Sequence, residues 1–303
     1  MFSNLSPNGR GILAMTGASI AFVFSDVLAK LATLDWPVAQ LMAVRGLFAV
    51  MISLAVVIVS GDRQALGGLT RPLMTARSAT EAVLGITFLS ALGMMPIADL
   101  TALLMLSPLV ITAIATLLLG ETVGWRRWSA ILVGFAGMLL VVKPGGAQAQ
   151  YPLYHVAAIL GLAAVLGVAL RDILTRKLGN ALPTTVVTLG TSIGSWLAGL
   201  ALSLFQPWAP FQWRPFLACL VAAVIVTVGN YFIALACRGA DLSVVAPYRF
   251  SSVIWAIALG ALVFGEVPGA LSIAGIALIA ASALYTLHRE RVRARTRLDG
   301  GQR

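Results

Sequence analysis

Ten long apolar segments constrain this chain more than any other feature of its sequence. A helix that crosses the hydrocarbon core of a bilayer needs about 20 mostly apolar residues. Segments of about that length follow one another with short connections, and the fifth is shorter than the rest. They cover residues 11–31, 38–60, 74–94, 98–119, 128–142, 152–172, 184–205, 216–237, 241–263 and 269–287. The pattern predicts an all-α integral membrane protein with ten transmembrane helices.

The composition excludes most soluble classes of protein. Hydrophobic residues make up 59% of the 303 residues and charged residues only 11%, whereas soluble domains average about 45–50% and about 25%. So few charges cannot coat a water-soluble globule, which excludes a soluble enzyme, a disordered chain and a disulfide-rich secreted module. The first apolar segment has no convincing small-residue cleavage site, and we expect it to remain as a helix.

The positive charges predict the orientation of the chain. A net charge of +10 would favour nucleic acid in a soluble protein, but these charges lie mostly between apolar segments, and we expect no nucleic-acid partner. With a cytoplasmic N-terminus, sixteen of the 21 Lys and Arg residues lie on the cytoplasmic side and three on the other, while Arg45 and Arg249 lie within helices. This bias predicts that both termini are cytoplasmic. The basic tail 289–303 would contact anionic lipid headgroups.

Short motifs recur in the same order in the two halves of the chain. Residues 25–31 match 171–178, residues 98–101 match 240–243, residues 107–108 match 246–247, and residues 119–121 match 264–266. Because each half has five helices, the second copy must enter the membrane from the opposite face. Inverted repeats of this kind build transporters with a site near the middle of the membrane.

The repeated motifs resemble the drug/metabolite transporter superfamily, EamA type, over residues 9–288. The resemblance rests on the two five-helix halves, on Gly120-Glu121 and Gly265-Glu266, and on the segment 246–249, Ala-Pro-Tyr-Arg. Together with Arg45, this segment is most similar to the branch of S-adenosylmethionine uptake carriers. Related branches export amino acids and their derivatives or import riboflavin. The resemblance implies secondary transport in a bacterial inner membrane, with repeats at 9–145 and 152–288 and a cytoplasmic tail at 289–303.

Motifs of catalysis are missing from the sequence. None of the three lysines follows a glycine, so the chain has no P-loop, and transport would run on gradients or exchange. Residues 190–194 match a nucleophile-elbow pattern, but they lie in an apolar segment, and we interpret Gly190 and Gly194 as a close helix contact. The cysteines and histidines lack metal-ligand spacing. We therefore expect no enzyme, no cofactor and no metal.

Four charged residues lie deepest within the predicted helices: Asp26, Arg45, Glu81 and Arg249. Ionisable groups cost on the order of 2.5–3.5 kcal/mol inside a helix on insertion scales, and they usually face a partner or a cavity. Counted along the helices, Asp26 matches the depth of Arg45, and Glu81 that of Arg249. We predict these two pairs, which either tie helices together or open for a zwitterionic or anionic substrate. Asp26 and Glu81 are also candidates for proton coupling.

Two prolines and a set of polar and aromatic residues complete the candidate site. Pro108 and Pro247 would interrupt helices at corresponding places in the two halves, a pattern that marks binding sites in transporters but also arises from packing alone. An α-helical spacing places Tyr248, Ser252 and Trp255 on one face. The same site would include Trp196 and Asn230, which would hold a planar or amino-acid-like solute, although a stripe of this kind is also typical of plain packing.

The sequence thus predicts a secondary-active transporter of a small polar metabolite. The leading interpretation is export of an amino acid or an amino-acid-derived compound by alternating access. Uptake of riboflavin or S-adenosylmethionine is the alternative within the class. A non-transporting membrane scaffold or a lipid-linked flippase is the alternative from another class. The expected partners are the small-molecule substrate and the lipid bilayer, and the sequence leaves a homodimer open.

Overall fold

The computed structural model describes residues 7–119, 125–142, 151–179, 181–239 and 246–300, which form helices joined by short connections. The α-helices are α1 Pro7–Ala32, α2 Val38–Val59, α3 Pro72–Met94, α4 Ile97–Leu104, α5 Ser107–Leu119, α6 Trp125–Val142, α7 Tyr154–Leu178, α8 Thr184–Leu202, α9 Trp213–Gly239, α10 Ser251–Phe264 and α11 Ala270–Gly300. Two 3₁₀ helices span Asp62–Thr70 and Ala246–Phe250. This confirms the predicted all-α class. The motif residues 120–121 and 240–245 and the chain end 301–303 lie outside the described ranges.

The helices coincide with all ten predicted apolar segments. Five of them, α1, α2, α7, α8 and α9, contain stretches long and apolar enough to cross a membrane. Shorter apolar helices occupy residues 97–111, 128–142, 248–264 and 270–285. Helix α3 is 23 residues long, but its first half carries Arg77 and Glu81. The total of ten membrane crossings stays a prediction, whereas the helical segments themselves lie where the sequence places them.

The fourth segment and the described part of the ninth are not regular α-helices throughout. Helix α4 ends at Leu104, and the next two residues make tight turn bonds, from Met105 N–H to Ala102 O at 3.0 Å and from Leu106 N–H to Leu103 O at 2.9 Å. A regular helix cannot continue here because Pro108 has no N–H for the Leu104 carbonyl. In the ninth segment a 3₁₀ helix containing Pro247 precedes α10. Within the described residues, each half therefore departs from a regular α-helix at the predicted proline.

The largest contacts between helices are symmetric: when each helix is replaced by its equivalent in the other half, the same helix pairs are in contact. The exchange replaces α1, α2, α3, α4–α5 and α6 by α7, α8, α9, α10 and α11. The interface between α1 and α9 then becomes that between α7 and α3, and α2 against α9 becomes α8 against α3. Three interfaces, α2–α8, α6–α11 and α4–α10, map onto themselves. The packing has approximate two-fold symmetry, and five segments per half make equivalent helices run in opposite directions.

Glycines allow helices to approach closely at several of these interfaces. A Cβ added to Gly199 in α8 would lie 2.4 Å from Ala43 N in α2, and one on Gly46 would lie 2.8 Å from Trp196 Cα. A Cβ on Gly194 would lie 2.5 Å from Ser78 O in α3. Real Cβ atoms do not approach this closely, so these contacts require glycine. The helix contact predicted for Gly194 is confirmed.

Helix α4 lies at the centre of the bundle. All of its residues except Leu104 are buried, because α7, α10 and α11 pack around it. Its first residue lies near one end of the bundle, which we call the Lys30 end because Lys30 is buried there. The opposite end carries Arg77 at the start of α3 and the last turns of α7, and we call it the Arg77 end. The charged residues discussed next lie toward these two ends.

Candidate functional site

The first group of charged residues, which we call the Arg45 cluster, lies between α1, α2 and α9. Arg45 Nη2 donates to Ser25 Oγ at 3.1 Å, and Ser25 Oγ in turn donates to Ala222 O at 3.2 Å. The Arg45 charge also interacts electrostatically with Asp26 and with Cys219. Both Asp26 and Arg45 are only partly buried. Opposite charges thus meet inside the helical bundle, within reach of one another.

The predicted pair of Asp26 and Arg45 is close, but it is not a direct ion pair. The hydrogen-bond partner of the Arg45 guanidinium is Ser25, the residue before Asp26. Sequence depth alone cannot distinguish neighbouring positions on a helix, since adjacent side chains differ by about 100° around the axis. The arrangement leaves the carboxylate of Asp26 and part of the guanidinium available for another charged group.

The second group, which we call the Glu81 cluster, lies at the Arg77 end between α3, α7 and α8. Arg171 Nη1 lies 4.0 Å from Glu81 Oε2 and Arg171 Nε donates to Asp172 Oδ1 at 3.0 Å. Arg77 Nε donates to Thr175 Oγ1 at 2.8 Å. The Arg77 guanidinium also donates to the hydroxyl of Thr191. Charges of both signs thus connect α3 of the first half to α7 and α8 of the second.

The predicted pair of Glu81 and Arg249 is wrong. The ion-pair partner of Glu81 is Arg171, a residue that the sequence analysis placed at the cytoplasmic end of the sixth segment. Helix α7 extends to Leu178, about two turns further than predicted, so Arg171 and Asp172 lie within the helix beside α3 and not at its end. Arg249 lies instead on the Ala246–Phe250 3₁₀ helix, where its carbonyl accepts a hydrogen bond from Ser19 Oγ at 3.5 Å.

The two clusters occupy equivalent places in the two halves. Ser25 and Asp26 in α1 correspond to Arg171 and Asp172 in α7 through the repeated motif. Arg45 lies seven residues after the first residue of α2, as Thr191 does in α8. Each cluster therefore has its acidic residue on the first helix of its half and its polar partners on the second helix of that half and the third helix of the other. Only the Arg45 cluster was expected from the sequence, which did not recognise Arg171 and Asp172 as intramembrane charges.

The polar and aromatic residues of helix 9 do not form one continuous α-helical face. Residues 246–250 are a 3₁₀ helix, in which side chains follow a tighter rotation than in an α-helix. Tyr248 is 41% exposed and Ser252 is 8% exposed. The Ser252 hydroxyl is buried without a hydrogen-bond partner, and Trp255 packs partly buried against the core. The predicted face of Tyr248, Ser252 and Trp255 is thus broken by the 3₁₀ helix.

The remaining predicted residues lie apart from these clusters. Trp196 lies at the close crossing of α2 and α8, with its backbone against Gly46, and its side chain is partly buried. Asn230 lies on an exposed face of α9. Pro108 lies in the first turn of α5, and Pro247 lies in the 3₁₀ helix. The structure therefore brings Asp26 and Arg45 together, but it does not gather all predicted residues around one point.

A third group, which we call the Lys30 cluster, was not expected as a site. Lys30 Nζ lies 2.5 Å from Glu266 Oε1 and donates to Met95 O at 2.6 Å and to Tyr151 Oη at 3.2 Å. Glu266 Oε2 accepts from Ile97 N–H at 2.9 Å. The Tyr151 hydroxyl donates to Glu266 Oε1. The signal for this group was present, since Lys30 and Glu266 both belong to repeated motifs, but those motifs served only to recognise the repeat.

Next to the Lys30 cluster, two further side chains join the same end of the bundle. The Tyr154 hydroxyl lies 2.8 Å from Asp99 Oδ2 and 3.0 Å from Val141 O. Burial, together with the hydrogen bond and the charge of Glu266, raises the pKa of Tyr151 above its usual range. Tyr151 therefore stays protonated near neutral pH and keeps its donor. A cavity of about 380 Å³ lies against this end, and Lys30, Tyr151 and Phe264 line part of it.

These features define a helical membrane protein whose two halves pack around charged residues of both signs. A family model, the EamA-like transporter family, matches residues 9–143 and again residues 155–287. The chain belongs to this family. It is a small-molecule transporter of the membrane, and the family and its relatives are named as transporters, not enzymes.

Several known proteins are similar over most of the chain. The pseudopaline exporter CntI of Pseudomonas aeruginosa is 26% identical over 272 residues, which cover 89% of this chain and 93% of the exporter. A riboflavin transporter of Vibrio cholerae is 30% identical over 282 residues, 91% of this chain and 92% of that protein. An S-adenosylmethionine uptake transporter of Rickettsia bellii is 22% identical over 214 residues, 66% of this chain and 67% of that protein.

A solved crystal structure supports the fold. It superposes with a TM-score of 0.62 at 20% identity, and the match covers 93% of this chain and 98% of the other. At this identity the likeness concerns the fold alone. The relatives together confirm the family and the transport of small molecules, and their names cover both export and uptake.

Proposed function

We propose that this protein exports an amino acid or an amino-acid-derived metabolite by alternating access in a bacterial inner membrane. The observation that carries the proposal is the Arg45 cluster, in which a guanidinium and a carboxylate lie close together inside the bundle without a direct ion pair. Ionisable side chains inside the membrane commonly mark substrate or ion pathways, and here neither charge is neutralised by a direct ion pair with the other. The similarity to a pseudopaline exporter over most of both chains supports the export direction.

The chemistry of the cluster suits a zwitterion. Arg45 would bind the carboxylate of the solute through its guanidinium, which presents two parallel donors. Asp26 would bind the ammonium group. A charge-assisted hydrogen bond contributes about 1.5–3 kcal/mol, so loss of Arg45 would weaken binding on the order of tenfold to a hundredfold. Arg249, Tyr248, Ser252, Trp255, Trp196 and Asn230 remain proposed as further contacts, and Glu81 and Asp26 as candidates for proton coupling.

The proposed topology has two inverted five-helix repeats, at residues 9–145 and 152–288. Both termini and the tail 289–303 would be cytoplasmic, since most Lys and Arg residues lie on that side. The Arg77 end then faces the cytoplasm and the Lys30 end faces the periplasm. The exchange symmetry of the helix packing supports alternating access, because two halves that exchange their conformations about a two-fold axis can open the site to either side of the membrane. Pro108 and Pro247, at the two interrupted helices, would act where those segments bend.

Counterflow in proteoliposomes tests this function. Vesicles loaded with an unlabelled amino acid should accumulate the labelled form, and a panel should include riboflavin and S-adenosylmethionine. Arg45→Ala should lose the flux, Arg45→Lys should keep part of it, and Arg63→Ala should behave as the natural protein, because Arg63 is exposed in a connection. Normal flux by Arg45→Ala would remove Arg45 from the site.

The same panel separates the alternatives. Two of the similar proteins are named riboflavin transporters. Uptake of riboflavin by this protein would favour a site in which the solute stacks on Trp196 or Trp255 over a site at the Arg45 cluster. Flux of S-adenosylmethionine would favour uptake of a solute that carries both charges. Absence of flux across the whole panel, with movement of a labelled lipid, would favour a flippase. Absence of both would favour a scaffold.

A further inference from the structure

The Lys30 cluster ties the two halves of the chain together at one end of the bundle. Lys30 in α1 and the connection 95–97 belong to the first half, whereas Tyr151 and Glu266 belong to the second. The side chains of Lys30 and Glu266 are only 4% and 2% exposed. This ion pair is therefore removed from water, and it connects residues that are 236 positions apart in the sequence.

The buried pair is supported by a full set of hydrogen bonds. The three donors of the Lys30 ammonium group have three acceptors, Met95 O, Tyr151 Oη and Glu266 Oε1. Glu266 uses its second oxygen to accept the N–H of Ile97, in the first turn of α4. A buried ion pair persists when such bonds satisfy both partners, and removing one partner leaves an uncompensated charge. Separating Lys30 from Glu266 without new partners would therefore leave two buried charges uncompensated and cost free energy.

Glu266 is held in this position by the end of α10. Gly265 has a φ of 66°, a left-handed conformation that glycine adopts without cost. Its N–H bonds to Ala261 O at 3.2 Å, and the Glu266 N–H bonds to Gly260 O at 3.0 Å. This helix end turns the Glu266 side chain toward Lys30 and Ile97. In the Gly-Glu motif, Gly265 thus allows the turn that ends the helix, and Glu266 supplies the carboxylate for Lys30.

The Arg77 end is tied less tightly. Arg171 and Glu81 lie 4.0 Å apart, and their side chains are 22% and 20% exposed. A contact of this length in partial solvent contributes little. Within the described residues, one end of the bundle is therefore closed by a dry and fully bonded ion pair. The other is connected by a longer ion pair and by side chains that are more exposed. A cavity of about 380 Å³ lies against the closed end.

We propose that Lys30 and Glu266, with Tyr151, form the gate that closes the periplasmic end of the transport path. The gate must separate once in each cycle, so the structure is the state closed to the periplasm. Asp26 lies one helical turn before Lys30 in α1, so the carboxylate of the Arg45 cluster lies one turn deeper in the bundle than the gate. This inference rests on the alternating-access function proposed above.

Labelling of Cys219 by a membrane-impermeant thiol reagent tests the gate without any transport substrate. Cys219 is buried and interacts with Arg45, so it reports on the space behind the gate. In a Cys237→Ser background, Glu266→Gln and Lys30→Met should each raise the rate of labelling from the periplasmic side by about tenfold or more, since a buried pair loses its partner. Asp35→Asn, an exposed neighbour at the same end, should label as slowly as the background protein.

The exchanged pair Lys30→Glu with Glu266→Lys gives a second reading. It should label more slowly than either single variant, because the opposite charges meet again. Monodisperse elution from a size-exclusion column confirms that each variant is folded. A folded Glu266→Gln protein that labels at the background rate overturns the proposal.

A disulfide across the gate keeps the proposal testable if the charge variants do not fold. A Cβ on Gly260 would lie 3.0 Å from Ile97 Cγ2, so Ile97→Cys with Gly260→Cys removes the obstructing methyl group and places a sulfur near its position. With Cys219 and Cys237 changed to serine, oxidation should abolish counterflow and reduction should restore it. Unchanged flux in the oxidised protein overturns the gate. If the natural protein shows no flux at all, the proposed function fails, whereas the labelling result still decides the gate.

Discussion

Gly137 in α6 and Gly275 in α11 contact one another backbone to backbone. A Cβ on Gly275 would lie 2.5 Å from the carbonyl oxygen of Gly137, and a Cβ on Gly137 would lie 2.8 Å from that of Gly275. This reciprocal contact lies between the last helices of the two halves. It brings two helices into contact without any side chain between them, as small residues do in membrane proteins.

Alanine at position 275 should therefore destabilise the protein. The new methyl group would force α6 and α11 apart, which costs about 1–3 kcal/mol in an already packed interface. Thermal unfolding in detergent, followed by tryptophan fluorescence, should show a lower Tm for Gly275→Ala. Gly67→Ala is the matched control, because a Cβ at Gly67 meets nothing within 4 Å. Equal melting of the two variants would contradict the close contact.

Gln40 should stabilise the connection between α8 and α9. Its side chain is buried, its Nε2 donates to Ala209 O at 3.2 Å, and its Oε1 accepts from Ala209 N–H at 2.8 Å. Gln40→Leu leaves both backbone groups of Ala209 without this partner, at a cost of about 1–3 kcal/mol for each group that stays buried. A lower Tm and faster proteolysis near residue 209 are expected. Gln64→Leu, at an exposed position, should change neither.

A charge-reversal experiment can establish which arginine faces Glu81. Glu81→Arg would bring a third guanidinium beside Arg77 and Arg171, whose charges both interact with position 81, and should lower the Tm. Adding Arg171→Glu should restore part of the loss, because the opposite charges meet again. Adding Arg249→Glu should not restore it. Rescue by position 249 instead would support the pairing that depth along the helices had predicted.

Tyr154 should contribute to stability through its hydroxyl group alone. Tyr154→Phe keeps the buried ring but removes the contacts with Asp99 Oδ2 and Val141 O, and a hydrogen bond to a charged group contributes about 1.5–3 kcal/mol. The Tm of Tyr154→Phe should fall below that of Tyr285→Phe, because Tyr285 is 41% exposed. A Tm equal to that of the natural protein would show that the hydrogen bond between Tyr154 and Asp99 does not contribute to stability.

The helical segments were predictable because membrane-spanning helices leave a strong apolar signal. The sequence placed α2 at 38–60 and the structure ends it at Val59. Helix ends were less predictable where polar residues continue the helix. Helix α7 runs to Leu178, whereas the predicted segment ends at residue 172, because the last turns are polar and a count of apolar residues does not include them.

The candidate site was only partly predictable for the same reason. Residue depth identified Asp26 and Arg45 as neighbours, but it carries no information about rotation around the helix, and Ser25 took the direct bond. The 3₁₀ backbone around Tyr248 could not be read from an α-helical spacing. Glu266 was visible as a motif, yet its partner Lys30 depends on a contact across 236 residues.

Two of the interfaces that map onto themselves, α2–α8 and α6–α11, have a particular place in any movement between the two openings. When the two halves exchange their conformations, the packing of α1 on α9 and that of α7 on α3 are interchanged. The packing of α2 on α8 and of α6 on α11 is the same before and after the exchange. These two interfaces must therefore fit both conformations of the transporter with one set of residues. At glycine contacts such as Gly46 on Trp196 and Gly137 on Gly275, the glycine presents no side chain to the neighbouring helix. The helices can therefore rotate against each other there without the steric clash that a bulky side chain would cause.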